Sequence, residues 1–124
     1  MSRQRAPVMI VDDDRDVRES LAEVLADHGY QSMGAANGQE ALERLRTATE
    51  QPCAILLDLM MPVMDGRQFR ALQLGDAQLK AIPVLVLSAQ NWAEESQELE
   101  ALGYLRKPID LPLLLKTLAD LCPT

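Results

Sequence analysis

The sequence predicts an α/β fold of three layers, in which a parallel sheet of five strands is covered by helices on both faces. Short, continuous apolar runs alternate with segments of helical periodicity, and such runs are typical of strands buried on both faces. Capping and turn residues separate the two kinds of segment. Because the 124 residues are 48% hydrophobic, we expect one domain over 1–124 with a core from about residue 7 to 122.

The first strand is predicted over residues 8–11, a continuous apolar run that stops at the acids Asp12 and Asp13. A helix is predicted to follow, with Asp14 as its N-cap and Gly29 as the residue that ends it. Four apolar residues at helical spacing are predicted on its inner side: Val17, Leu21, Val24 and Leu25.

A shorter second strand is predicted over residues 30–34. Asn37 is followed three residues later by Glu40, a pattern that resembles a capping box and predicts the start of a second helix. The Gln-Pro pair at 51–52 ends this segment. Its apolar residues at helical spacing are Ala41, Leu42, Leu45 and Ala48.

The third strand is predicted over residues 54–57 and stops at a single carboxylate, Asp58, because the Met-Pro pair that follows prevents its continuation. Taken alone, an aspartate in this position is more often a turn former or a helix cap than a reactive group. The turn at 63–66 is predicted to open a third helix with Phe69 and Leu72 facing inward.

The fourth strand is predicted over residues 84–87 and runs directly into Ser88. A helix is then predicted to begin near Asn91, with Trp92, Leu99 and Leu102 on its inner side. The short last strand runs into Lys107, and Asp110 is predicted to cap the C-terminal helix. The apolar stripe of that helix is formed by Leu111, Leu114, Leu115, Leu118 and Leu121.

Polar side chains follow four of the five predicted strands at the point where each strand ends. They are Asp12 and Asp13, Asp58, Ser88 and Lys107. Right-handed crossovers bring the carboxyl ends of parallel strands to one edge of the sheet, where ligands bind. We therefore expect residues far apart in the sequence to meet in one crevice.

The residue types at this edge indicate a particular chemistry. Carboxylates held close together repel one another, and a hard divalent cation with few protein oxygens, Mg²⁺ rather than Ca²⁺, relieves that repulsion. Together with Lys107 and the Ser88 hydroxyl, such a cation could bind a phosphoryl group. Asp58 would then be the nucleophile that forms an aspartyl phosphate.

Composition narrows the range of partners. The net charge of −7 argues against direct nucleic-acid binding and against an anionic membrane. No signal peptide or membrane-spanning run is present, so we expect no membrane insertion and a cytoplasmic location.

Cys53 and Cys122 are interpreted as small apolar residues of a reduced protein, without a disulfide.

Four short motifs lie at the strand ends: residues 11–13 (VDD), 58–66 (DLMMPVMDG), 86–89 (VLSA) and 104–108 (YLRKP). In this order, and over essentially the whole chain, they resemble the motifs of the two-component response-regulator receiver domain. The resemblance implies a doubly wound (βα)5 flavodoxin-like fold with strand order 2-1-3-4-5. One departure is that the few residues that usually separate the last strand from the helix before it are absent ahead of Tyr104.

By the same resemblance, Asp58 matches the phosphoacceptor, and both Asp58 and Asp13 match ligands of Mg²⁺. Asp12 matches an acid that holds metal-bound water, and Met60 would contribute its backbone carbonyl to the metal. The resemblance thus implies a complete magnesium site, in a protein that is not an enzyme beyond catalysing its own phosphorylation and dephosphorylation.

Four further residues match the part of the family's motifs that binds the phosphoryl group and transmits the signal. Lys107 matches the phosphate-binding lysine, Ser88 the switch hydroxyl and Tyr104 the switch aromatic. Pro108 is expected to follow a cis peptide bond. The phosphoryl donor would be a sensor histidine kinase or a histidine phosphotransfer protein, and the output would pass to an unknown downstream protein.

Three classes of function are compatible with these residues. They are a switch controlled by phosphorylation, a receiver-fold interaction module that works without phosphate, and a magnesium phosphohydrolase for small molecules. The intact acids, hydroxyl and lysine favour the first class over the second, and the lack of a further acid-base residue at a strand end weighs against the third. His28, the only histidine, is interpreted as a helix-end residue, so the donor histidine is expected on the partner.

Overall fold

The computed structural model describes residues 6–88 and 100–122. In these residues, five strands and four helices follow one another along the chain. The strands are β1 (Val8–Val11), β2 (Ser32–Ala35), β3 (Ala54–Asp58), β4 (Val84–Ser88) and β5 (Gly103–Arg106). The helices are α1 (Arg15–Asp27), α2 (Gly38–Thr47), α3 (Gly66–Leu74) and α4 (Leu111–Leu121), the C-terminal helix.

All five strands are parallel and form one sheet in the order β2-β1-β3-β4-β5. This result confirms the predicted fold class and strand order. The central strands β1, β3 and β4 are buried along their whole length, as their continuous apolar sequences predict. Among the described residues, no helix combines the length and apolar character that a membrane crossing requires.

Alternate residues of β1, β3 and β4 contribute to two hydrophobic clusters, one on each face of the sheet. On one face, Met9 and Leu57 pack with residues of α2 and α3 such as Leu45 and Phe69. The other cluster contains Val8, Ile10, Leu56 and Leu85, together with Leu21 and Leu25 of α1 and Leu114 and Leu118 of α4. Burial of both faces fixes the register of the strands, and hence the positions of the side chains at the strand ends.

The predicted helix caps are confirmed with one qualification. The Asp14 carboxylate accepts hydrogen bonds from the N–H groups of Asp16 and Val17 at the start of α1. The Asn37 side chain accepts from the N–H of Glu40, but the Glu40 carboxylate pairs with Arg44, so only half of the capping box forms. A complete capping box occurs instead at the start of α3.

The second strand begins two residues later than predicted. Gly29 has a φ of 84° and the N–H of Tyr30 donates to the carbonyl of Leu25, so Tyr30 belongs to the end of α1. This arrangement is typical of helices that end in a left-handed glycine. The strand therefore starts at Ser32 and not at Tyr30.

Two predicted inward-facing leucines are exposed in the structure. Leu72 is 47% exposed, whereas Gln73 is fully buried, because its side-chain amide donates to the carbonyls of Leu79 and Ile82. Leu102 is 59% exposed and precedes β5, with its N–H donating to the carbonyl of Val84. The rest of the helix predicted from Asn91, including Trp92, lies outside the described residues.

The interpretation of Cys53 and Cys122 as separate reduced residues is wrong for this structure, in which they form a disulfide. Cys53 directly precedes β3, and Cys122 is the C-cap of α4. Both residues pack in the cluster that α1 and α4 share, with their Cα atoms 5.4 Å apart. The disulfide therefore joins the end of the C-terminal helix to the start of a central strand.

Candidate phosphoacceptor and metal site

The carboxyl ends of β1, β3, β4 and β5 meet at one edge of the sheet. Val11 pairs with Leu57, the residue before Asp58. Asp58 in turn pairs with Leu87, the residue before Ser88. Lys107 follows β5 directly, and its N–H donates to the carbonyl of Ser88. The parallel register thus places one polar residue after another along this edge.

Three carboxylates come together there. Asp12, Asp13 and Asp58 each offer a carboxylate oxygen, and these oxygens lie within 4.8 Å of one another. Asp12 and Asp58 are buried, whereas Asp13 is exposed. A set of hard oxygen donors, open to solvent on one side, suits Mg²⁺, which keeps several of its waters when it binds to a protein.

All four polar atoms of Asp12 take part in hydrogen bonds. Its N–H donates to the carbonyl of Ala35, and its own carbonyl accepts from a guanidinium nitrogen of Arg18 at 2.6 Å. In its carboxylate, Oδ1 accepts from the N–H of Asp14 and Oδ2 from the ammonium of Lys107, each at 2.9 Å. Asp12 is thus a fixed acid at the base of the crevice.

The Lys107 ammonium lies between two of the acids, 2.9 Å from Asp12 Oδ2 and 3.8 Å from Asp58 Oδ2. Burial alone would lower the pKa of Lys107, but the hydrogen bond and charge of Asp12, with the charges of Asp58 and Asp13, raise it. The lysine therefore carries a positive charge at neutral pH and offsets part of the repulsion among the acids.

The carboxyl group of Asp58 has a raised pKa. Its burial, and next the negative charge of Asp12, raise its pKa from 3.8 to about 6, against the opposing effect of Lys107. The N–H of Met60 donates to Asp58 Oδ1 at 3.3 Å and favours the charged form. With a pKa of about 6, Asp58 is mostly ionised at pH 7, and a bound metal cation would favour the ionised form further.

The loop between β3 and α3 is held close to Asp58 by Gly66. The N–H of Gly66 donates to the carbonyl of Leu59. A Cβ atom at Gly66 would lie only 2.7 Å from the carbonyl oxygen of Asp58 and 2.8 Å from Cα of Leu59. Only a residue without a side chain allows the start of α3 to approach the end of β3 this closely.

The remaining predicted site residues lie near this crevice. Ser88 is buried at the end of β4. Tyr104 of β5 pairs with Val86 of β4 and packs against the hydrophobic cluster that α2 and α3 cover. The peptide bond between Lys107 and Pro108 is cis. The Met60 side chain is 60% exposed, so only its backbone is positioned toward Asp58.

Sequence reasoning did not identify Arg18 as part of this region. Its side chain crosses from α1 over β2, where a Cβ atom at Gly34 would lie 3.6 Å from Cδ of Arg18, and reaches the carbonyl of Asp12. A glycine in the middle of a strand signals a close approach of another group. That signal was present at Gly34, but it did not specify which side chain would use the space.

Comparisons with known proteins agree with this geometry. A family model described as the response regulator receiver domain matches residues 8–119. The chain is 41% identical over 115 residues to the response regulator MprA of Mycolicibacterium vanbaalenii, an alignment that covers 87% of this chain and 46% of that protein. This chain therefore spans about half the length of the MprA proteins that it matches.

Two other relatives are matched along most of their length. Sporulation initiation phosphotransferase F of Bacillus subtilis is 35% identical over 105 residues, which cover 84% of this chain and 83% of that protein. The structure of the chemotaxis protein CheY4 of Vibrio cholerae superposes with a TM-score of 0.83 at 34% identity, covering 94% of this chain and 98% of that one.

Proposed function

Because this chain belongs to the response regulator receiver domain family, we propose that it accepts a phosphoryl group on Asp58 and changes conformation in response. The donor is a sensor histidine kinase or a histidine phosphotransfer protein, and the output passes to a downstream protein. Support comes chiefly from the position of Lys107, whose ammonium lies within 4 Å of both Asp12 and Asp58. A fixed cation beside an ionised nucleophile is what transfer of an anionic phosphoryl group requires.

In the proposed reaction, a carboxylate oxygen of Asp58 attacks the phosphorus of a phosphohistidine. The P–N bond breaks as the P–O bond forms, and the histidine nitrogen that leaves takes up a proton. Lys107 balances the charge on the phosphoryl oxygens, and Ser88 donates a hydrogen bond to one of them. The product is an acyl phosphate on Asp58.

The residues present fit Mg²⁺. Asp13 and Asp58 would hold the ion directly, with the backbone carbonyl of Met60 as a further ligand, and Asp12 would bind one of its waters. When bound, Mg²⁺ supplies positive charge that reduces the repulsion between Asp58 and the incoming phosphoryl group. The protein catalyses at most its own phosphorylation and dephosphorylation. A cytoplasmic location is part of this proposal, because kinases draw the phosphoryl group from ATP.

Phosphorylation with acetyl phosphate and Mg²⁺, followed by intact-protein mass spectrometry, tests the assignment. We expect one phosphoryl group that is lost on treatment with base, and no such group on Asp58→Asn. Asp120→Asn, which changes an exposed aspartate of α4, is the matched control and should be labelled like the wild type. Equal labelling of Asp58→Asn would contradict the proposal.

The same preparations distinguish the two other classes of function. An interaction module that works without phosphate would remain unlabelled by acetyl phosphate and by any phosphorylated kinase. A phosphohydrolase would turn over p-nitrophenyl phosphate with Mg²⁺, and we expect no turnover above that of Asp58→Asn.

A further inference from the structure

We infer that Arg18 is a positioning residue for the metal site: by holding the carbonyl of Asp12, it fixes the peptide unit from which Asp13 projects. This inference rests on the proposed function, since it concerns the affinity of the acid cluster for Mg²⁺. Arg18 lies in α1 and contacts neither Asp58 nor the phosphoryl group in the proposed mechanism.

The hydrogen bond between Arg18 and Asp12 is placed where it can control Asp13. The carbonyl of Asp12 and the N–H of Asp13 belong to one planar peptide unit, so a donor that fixes the carbonyl also fixes the orientation of that unit. The guanidinium nitrogen lies 2.6 Å from this carbonyl oxygen. Because the donor is charged, the bond is stronger than one between neutral groups.

Asp13 depends on this support more than the other two acids do. Asp12 is held at all four of its polar atoms, and Asp58 lies within β3 and pairs with β4. Asp13 follows the end of β1 and is exposed. The Asp13 carboxylate nevertheless lies within 4.8 Å of the carboxylates of Asp12 and Asp58. The orientation of its peptide unit therefore decides whether the Asp13 side chain points toward them.

The Arg18 side chain lies against the neighbouring strand β2. It passes over Gly34 of β2, where an added Cβ atom would lie 3.6 Å from Cδ and 3.9 Å from Nε of Arg18. Gly34 pairs with Ile10 in the register of β1 and β2. An added Cβ atom alone would only touch the arginine at an ordinary van der Waals distance, but the branched methyl groups of a valine would extend beyond it into the space that the arginine occupies.

The direction in which the loss of Arg18 changes the Mg²⁺ affinity distinguishes a positioning role of this residue from a purely electrostatic one. Removing a positive charge near the acids, with no change in geometry, would strengthen the binding of a dication. Loss of a group that orients a metal ligand weakens binding, typically by about 10-fold or more. For Arg18→Met we therefore expect weaker Mg²⁺ binding by about 10-fold, although the variant is more negatively charged.

Isothermal titration calorimetry with Mg²⁺ alone, on protein without phosphate, measures this difference. Arg15→Met is the matched control: it removes the same charge one turn away in α1, where the Arg15 side chain is 80% exposed and pairs with Glu19. Its Mg²⁺ affinity should equal or slightly exceed that of the wild type. Circular dichroism verifies that each variant is folded.

Gly34→Val provides a second, independent variant that keeps every charge. It should also weaken Mg²⁺ binding, because its methyl groups extend beyond the Cβ position, 3.6 Å from Cδ of Arg18, and push the arginine side chain aside. Folded Arg18→Met with wild-type or tighter affinity would overturn the inference. If Arg18→Met does not fold, the same result with Gly34→Val overturns it. A wild-type protein that binds no Mg²⁺ would instead contradict the proposed function itself.

Discussion

The ammonium of Lys107 donates a hydrogen bond to the buried carboxylate of Asp12, a residue 95 positions earlier in the chain. The two residues follow β5 and β1, which are separated in the sheet by β3 and β4. The ion pair therefore spans the crevice that contains Asp58 and links the edge strand β5 to the middle of the sheet.

Lys107→Met should destabilise the metal-free protein, because it leaves the Asp12 carboxylate buried beside Asp58 without its partner. Loss of one partner of a buried ion pair costs about 3–5 kcal/mol. Since the Lys107 side chain is 25% exposed, we expect a smaller loss, about 2 kcal/mol in the free energy of unfolding by urea at pH 7. Mg²⁺ should restore part of this loss.

The matched control for that experiment is Lys116→Met, which removes the same charge from an exposed position in α4. Its free energy of unfolding should change by less than about 0.5 kcal/mol. If Lys107→Met is no less stable than this control, the ion pair with Asp12 contributes nothing to the folded state.

Asp58→Asn should stabilise the metal-free protein above pH 6. The folded pKa of Asp58 is raised from 3.8 to about 6, so the folded state holds this proton more tightly than the unfolded state does. The resulting stability is present below about pH 4 and is lost as the pH rises through 6. The variant should therefore gain about 2–3 kcal/mol over the wild type between pH 4 and pH 7.

Urea unfolding of both proteins across this pH range, in EDTA, measures the gain. Addition of Mg²⁺ should reduce it, because the ion stabilises ionised Asp58 in the wild type and has one carboxylate fewer in the variant. A difference in stability that is the same at pH 4 and pH 7 would show that Asp58 has an ordinary pKa.

The strand ends and helix caps could be predicted because they depend on local sequence. An apolar run that stops at Asp58, or an aspartate such as Asp14 before a helical stripe, carries its own signal. The side-by-side placement of the strand ends required one further rule, the parallel direction of strands that alternate with helices. Together these gave the fold class and the group of residues that forms the candidate site.

Several features that could not be predicted depend on contacts outside a single helix or strand. Gln73 is buried in preference to Leu72 because two carbonyls of the following loop need a donor. Arg18 of α1 reaches the carbonyl of Asp12 along a path beside Gly34 of β2. No periodicity or capping pattern within a single element contains this information.

The disulfide is a further case, since Cys53 and Cys122 are 69 residues apart. In the chain-entropy account, closing a loop of this length by a disulfide stabilises a protein by about 4 kcal/mol. We therefore expect a reducing agent to lower the free energy of unfolding of the wild type by about this amount. Cys53→Ala should be insensitive to the same treatment, and equal stability of the wild type with and without reductant would contradict the prediction.

Gly66→Ala should destabilise the protein and weaken Mg²⁺ binding, because the added Cβ atom would overlap the backbone of Asp58 and Leu59. Forcing an extra methyl group into such a contact costs about 1–3 kcal/mol. Gly75→Ala, at the other end of α3, is the control. There the nearest atom to an added Cβ lies 3.6 Å away, so stability and Mg²⁺ affinity should be unchanged. Equal behaviour of the two variants would show that the loop can move away from β3 at no cost.

Ser88→Ala should separate phosphorylation from the conformational change. We propose that the hydroxyl of Ser88 favours the active arrangement and the inward turn of Tyr104. In the variant the phosphoryl group on Asp58 would still form, but this coupling would be lost. Trp92, the only tryptophan, follows Ser88 by four residues in the sequence, so its fluorescence should report the change. We expect beryllofluoride with Mg²⁺ to alter the emission of the wild type and to alter that of Ser88→Ala much less.

The control is Ser20→Ala, which changes an exposed serine of α1 and should respond like the wild type. If all three proteins respond equally, Ser88 does not couple the phosphoryl group to the switch.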